Sequence, residues 1–202
     1  MVSPQALSEG ERRTVAEWAA DCAERVLPLF EAEAADDGRP RDAIARARAF
    51  SRGELRAADE IRRRFVAGRA ASAVRSPAAV AAARAAAQAS GVAHMGAHAL
   101  GAAAYAAKAV GLGVPGRADA VDDEVRWQLR RMSAATRAAL RRLPVLGEDS
   151  AGPLGSGLLT GGVLATVIRQ IQTELAGGVR MAQHRAGTDD GATVQERREG
   201  RP

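Results

Sequence analysis

Two histidines four residues apart, His94 and His98, are the first residues in this chain whose type and spacing point to chemistry. On a helix that spacing turns both imidazoles to one side, half of the arrangement in an H-E-x-x-H zinc helix. The glutamate of that motif is missing, because Met95, Gly96 and Ala97 stand between the histidines. A third ligand would have to come from elsewhere, for instance Asp21 or Glu24. The reading taken is that His94 and His98 pack between helices or touch a partner and that no metal is bound. A metal site on the pair is the alternative.

The other reactive types lead to no cofactor. Cys22 is the only cysteine, so there is no internal disulfide and no cysteine-based zinc site. It falls on an apolar helical stripe beside Asp21 and Glu24, the wrong setting for a nucleophilic thiolate, and reads as a small hydrophobe. Gly111, Gly113 and Gly116 spell G-x-G-x-x-G, but the dinucleotide fingerprint needs a strand before it and a helix on its third glycine. Here a helical stretch precedes the motif and Pro115 interrupts it, so a helix–helix loop is expected. The only lysine, Lys108, is not in a phosphate-loop context.

Helices must position whatever these residues do. Alanine is the commonest residue, while β-branched and aromatic residues are scarce and no window alternates long enough for a strand. Ser8 with Glu11 spells a capping box, and the stripe Val15, Trp18, Ala19, Cys22, Val26, Leu29 and Phe30 follows, with Pro28 expected to kink or end the helix. Further helices are expected over 41–52, from Glu54 (Leu55, Ala58, Ile61 and Phe65 on one side), from Ser76-Pro77 to about Gly91, and over 94–110. Asp119 is expected to cap a helix with Val121, Val125, Leu129 and Met132 inward, and Ser133 a short one ended by Pro144.

In that sixth helix Trp127 points away from the Val125–Leu129 stripe. Either it is buried on a second side or it is an exposed aromatic for a partner, with Arg130 and Arg131 able to stack on it. The stretch 146–157 reads as a Gly-rich linker and 158–185 as an amphipathic helix with Leu164, Val167, Ile168, Ile171 and Leu175 on one face. From Ala186 to the end the chain is polar, charged and Gly-rich, and disorder is expected. The fold class is therefore all-α: a compact, Ala-rich bundle of six to eight helices over residues 8–145, followed by linker, helix and disordered tail.

The net charge of +5 and pI near 10.7 raise the question of nucleic acid. The arginines, however, are interleaved with acids. Asp21/Arg25, Asp42/Arg46, Asp59/Arg63 and Glu60/Arg64 are spaced to support helices, so solvated helix faces account for most of the charge. The first ten residues lack the basic and apolar regions of a signal peptide, and no stretch has the ~20 apolar residues needed to span a bilayer. A cytoplasmic protein without membrane contact is expected.

Three stretches together resemble a bacterial family of immunity proteins paired with polymorphic toxins. They run from Trp18 through Cys22 to Pro28, from Arg39-Pro40-Arg41 to Ile44, and from His94 through His98 to Tyr105 and Ala106. The segment around Trp127 is similar to the family's later tryptophan helix. The resemblance covers about residues 8–145 and implies an all-helical, non-enzymatic protein, without cofactor, that binds and blocks a cognate toxin. Some relatives carry an exonuclease label, which this chain does not fit for want of a phosphate loop and a two-metal carboxylate cluster.

The expected function is accordingly protein binding. Glu31, Glu33, Asp36 and Asp37, an acidic patch suited to a basic toxin, and Trp127 are the candidate contacts. The alternatives are a helical-bundle metal-dependent hydrolase using His94 and His98, and an arginine-rich nucleic-acid-associated scaffold. Oligomeric state is left open.

Overall fold

A computed structural model describes the backbone of residues 3–63 and 66–189, and the side chains of residues 3–60, 66 and 68–177. The described residues form eight α-helices and two short 3-10 segments, with no strand. The helices are α1 Glu9–Glu31, α2 Arg39–Ser51, α3 Ala57–Arg63, α4 Pro77–Gly91, α5 His98–Gly113, α6 Ala120–Arg131, α7 Ala134–Leu140 and α8 Gly162–Asp189. The 3-10 segments are Ala67–Ala73 and Leu158–Thr160.

The helix starts follow the sequence signals. The Ser8 hydroxyl accepts from the Glu11 backbone N–H at 3.3 Å while the Glu11 carboxylate accepts from the Ser8 N–H at 2.9 Å. Those bonds to Ser8 hold the Glu11 carboxyl below its ordinary range. Ser76 and Ser133 cap α4 and α7 in the same way. Pro28 does not end α1, which runs on to Glu31. Pro28 and Glu24 both face solvent, so water can reach the carbonyl that proline leaves without a donor. Asp119 sits at the start of α6 without a side-chain capping bond and pairs with Arg117 instead.

At the centre lie α4 and α5, side by side, with α1 packed across both. Both central helices are buried almost all round. Ala78, Ala79, Ala81, Ala82, Ala83, Ala85, Ala86 and Ala89 of α4 are buried, and so is most of α5 from Ala99 to Ala109. Side chains this small bring helix axes close and leave little rotamer entropy to lose. The bulk is supplied from the flanks by Trp18, Phe30, Phe50 and Leu140, with Tyr105 and Leu100 from α5 itself.

The last helix belongs to this packing. Leu164, Val167, Ile168, Ile171 and Leu175 are all buried, and α8 lies on α5 with further contacts to α6 and α7. Before it, Leu154 is fully buried, and Gln5, itself fully buried, grips the loop around it. The Gln5 carboxamide donates to Asp149 at 2.8 Å and to the Ala151 carbonyl at 2.5 Å, and accepts from the Leu154 N–H at 2.9 Å. The stretch expected as a linker is thus held down at these points. Beyond Asp189, the tail expected to be disordered lies outside the described residues.

Two expectations change. Ala58 of α3 is exposed while its neighbour Glu60 is buried, because Glu60 takes both nitrogens of the Arg46 fork, at 3.0 and 2.5 Å. Ile61 and Phe65, expected inward beside it, have side chains outside the described set. The other change is that His94 is not helical. It stands in a turn, and α5 begins only at His98.

If α8 is part of one cooperative core, Ile168→Ala should cost about 3 kcal/mol in a single urea transition. Exposed Arg169→Ala should stay within about 0.5 kcal/mol of the parent. A main transition unmoved by Ile168→Ala would show α8 to be an appendage.

Candidate functional site: the Trp127 face and the histidine cleft

The first site forms where α6 meets α1 and α5. The buried face of α6 comprises Ala120, Glu124, Val125 and Gln128, with Met132 just beyond its end, rather than an apolar stripe through Val121 and Leu129, which are half-buried. Polar residues can turn inward here because each finds partners. The Gln128 amide donates to the Ala103 carbonyl of α5 and to Glu124, both at 3.1 Å. Glu124, 2 % exposed, accepts from Arg25 of α1 at 2.6 Å, and the Trp18 indole donates to the Gln128 carbonyl at 2.9 Å. One buried atom, Gln128 Oε1, is left without a partner.

Trp127 is half-buried on the outer side of this network. The Arg25 guanidinium lies 4.4 Å from its ring centre and that of Arg131 5.9 Å, both within cation–π reach. Arg131 in turn reaches Asp21 at 3.2 Å, and Asp21 also meets Arg48 of α2 at 2.9 Å. Asp21 and Arg25, expected to pair along α1, pair between helices instead. Glu24 is exposed and reaches Arg48 at 2.5 Å, and with Asp21, Arg25, Trp127 and Arg131 it lines an open depression on this face.

Glu124 and Gln128 were not legible as site residues. Their only signal is an i,i+4 spacing in step with Ala120 and Met132. Cys22 is fully buried nearby, and burial, then the Glu124 and Asp21 carboxylates, push its thiol well above the ordinary range. It is inert at neutral pH.

The acidic patch is largely engaged within the chain. Glu31 pairs with Arg41 at 2.5 Å, Asp37 takes both nitrogens of Arg39, and Glu33 accepts from the Arg75 N–H at 2.9 Å and the Ser76 N–H at 3.2 Å. Hydrogen bonds from Arg39 lower the Asp37 carboxyl and those from Ser76 and Arg75 lower Glu33. Of the four, Asp36 makes no such pair and is exposed. Arg39 opens α2 with buried Pro40 behind it.

The second site is a cleft of about 870 Å³ between the end of α4, the 92–97 turn, the 3-10 segment and Gly152-Pro153. His94 and His98 both line it, their ring centres 6.4 Å apart and tilted by 38°. His98 Nδ1 meets Gln88 Oε1 of α4 at 2.8 Å. Two glycines make room for that pair. A Cβ on Gly91 would lie 2.9 Å from the His98 ring, and one on Gly101 would lie 2.4 Å from Gln88 Oε1.

The turn carrying His94 is pinned from the N-terminal segment. Gly96 N–H donates to the Ala6 carbonyl and Ala97 N–H to Gln5, both at 3.1 Å, while Leu7, held at φ +59°, lies against Gly96. Tyr105, about two helical turns past His98 along α5, is buried and lines neither site, with Arg84 over its ring. Among the described residues no three His, Cys, Asp or Glu side chains stand together as metal ligands. No described helix is long and apolar enough to cross a membrane.

Burial, then the neighbouring His94, push His98 down to about 4. Its folded value lies below its unfolded value near 6.5, so its contribution is complete above pH 6.5 and is lost as pH falls toward 4. Stability should fall across that window with a slope approaching about 1.4 kcal/mol per pH unit. His98→Gln should flatten that limb above pH 4.5, before the carboxylates titrate, in urea denaturation at stepped pH. Cys22 should resist a thiol reagent in the native state and react on unfolding. Rapid native labelling would show that α1 opens.

Neither the curated proteins nor the solved structures searched contain a match to this chain. A family model described as "Imm-5 like putative immunity protein" matches residues 5–135, which takes in α1 to α6, both histidines and both tryptophans, and leaves α8 outside. The chain is a member of that Imm-5 like family.

Proposed function

We propose that this protein acts by binding, and that its partner is a cognate toxin which it neutralises by direct contact through the Trp127 face. Family membership supports an immunity role. The observation that carries the choice of surface is Trp127 itself, half-exposed and flanked by Arg25 and Arg131. Tryptophan and arginine are the types that most often anchor protein interfaces, and a side chain already held in place loses little entropy on docking.

The flanking charges serve specificity more than affinity. Arg25, Glu124, Arg131, Asp21 and Arg48 are already paired with one another, so a partner meets a fixed pattern of alternating sign. Glu31, Glu33, Asp36 and Asp37 are the further acidic contacts of this reading, and among the described residues Asp36 is the one of the four whose charge is not already engaged. A basic partner suits it. The role is non-enzymatic and is carried out in the cytoplasm beside the toxin's gene product.

Coexpression with the toxin-domain product of a neighbouring gene tests this directly. The parent chain should rescue growth and co-purify with the toxin, and Trp127→Ala should weaken the isolated complex at least about 30-fold while leaving the fold intact. Asp36→Lys should slow association more than it speeds dissociation. Failure of the parent chain to rescue growth would overturn the function. Full affinity in Trp127→Ala would overturn the surface.

A further inference from the structure

The cleft beside α4 belongs to none of this. It shares no lining residue with the depression at the Trp127 face. We propose that this cleft is a soft-metal site, in which His94 and His98 hold one copper(I) ion through a nitrogen each, with the Met95 thioether as a third donor.

His98 is prepared for such a role. Gln88 presents a carbonyl oxygen to Nδ1, so the ring proton sits on Nδ1 and the lone pair on Nε2. Metal-binding imidazoles are held in this way, with the far nitrogen donating to an oxygen that fixes tautomer and ring direction. Gly91 and Gly101 leave the room that the pair occupies. Among the described residues Nε2 has no hydrogen-bond partner. The only buried, unpartnered side-chain polar atoms among the described residues are Arg12 Nε and Gln128 Oε1, so Nε2 opens to the cleft that its residue lines. A ligand must be unprotonated to bind, and His98 is neutral throughout the physiological range.

The second imidazole stands at a usable distance. One ion shared by two imidazoles at ~2 Å from each nitrogen puts the ring centres about 5 Å apart at a tetrahedral angle and about 6.5 Å apart when collinear. The observed 6.4 Å is the collinear span of two-coordinate copper(I); a three-coordinate site with Met95 needs about 5.5 Å, which a turn of the His94 ring supplies, and tetrahedral zinc needs the rings closer still. His94 is exposed and its ring makes no hydrogen bond among the described residues, so the ring can turn.

Charge and softness select the ion. Among the described residues no carboxylate lines the cleft, and the one charged side chain there is Arg69, a cation. Magnesium and calcium need oxygen ligands, and any dication would stand uncompensated beside Arg69. A monovalent ion matched to nitrogen and thioether donors is the better fit, and Met95 lines the same wall as the two histidines.

The test uses the full chain purified without a polyhistidine tag, titrated anaerobically with copper(I) against the chromogenic chelator bicinchoninate. One ion per chain is expected. His94→Asn, a change at an exposed turn residue, should weaken binding at least tenfold, and so should His98→Gln. Cys22→Ala should bind as the parent does. Imidazole nitrogen NMR should show copper(I) shifting His98 Nε2 and not Nδ1. Zinc binding tighter than copper(I), binding lost in Cys22→Ala, or binding unchanged in His94→Asn would each overturn the assignment. Neither outcome bears on growth rescue, which tests the toxin reading alone.

Discussion

Alanine gives a helix its full set of backbone hydrogen bonds while leaving almost no side chain to be ordered. Two alanine-rich helices can therefore lie closer together than leucine-rich ones and be buried on every side. The helices α4 and α5 come close to that condition, with exposed Arg84 and the cleft residue Gln88 as exceptions, and the rest of the molecule is arranged around them. A wall of methyl groups offers no polar atom. The atoms able to recognise anything must come from helix ends, from the turn between α4 and α5, or from helices packed outside the pair. Both sites have this origin. Trp127 stands on α6, outside α5, and the histidines sit at the junction where α4 stops and α5 starts.

Close packing also governs the buried polar groups. Glu124, Gln128, Glu60 and Gln5 are buried polar side chains, and each joins separate elements: α6 to α1 and α5, α3 to α2, the N-terminal segment to the 149–154 loop. An apolar contact between smooth alanine surfaces tolerates sliding. A carboxylate that must meet one guanidinium does not, so these bonds fix register where methyl packing leaves it loose. Arg25 illustrates the double duty: its charge satisfies Glu124 inside while its flat face covers Trp127 outside.

Much of this was legible in the sequence because it follows from local chemistry. The Ser8–Glu11, Ser76-Pro77 and Ser133 starts and the apolar stripes of α1 and α8 depend on residues within a few positions of one another. What escaped depends on partners across the fold. Asp21 and Arg25 have good spacing for a bond along the helix, but α6 and α2 bring stronger partners to each. The inward turn of Glu124 makes sense only once Arg25 is across from it. His94 looked helical by its neighbours' propensity, yet hydrogen bonds from the turn to residues 5 and 6 hold the backbone otherwise. Of the site residues, Trp127 stood out by type and the histidines by spacing, whereas Gln88 had no signal at all.

The grip of Gln5 on residues 149, 151 and 154 closes a loop of nearly the whole body of the protein. The groups that meet there lie 144 to 149 residues apart in the chain. Contacts of such long sequence separation are made last, after the loop-closure entropy has been offset by the packing between. The same short segment that Gln5 anchors there also braces the turn carrying His94, through residues 5 to 7, so the His94–His98 wall is tied to a loop on the far side of the sequence.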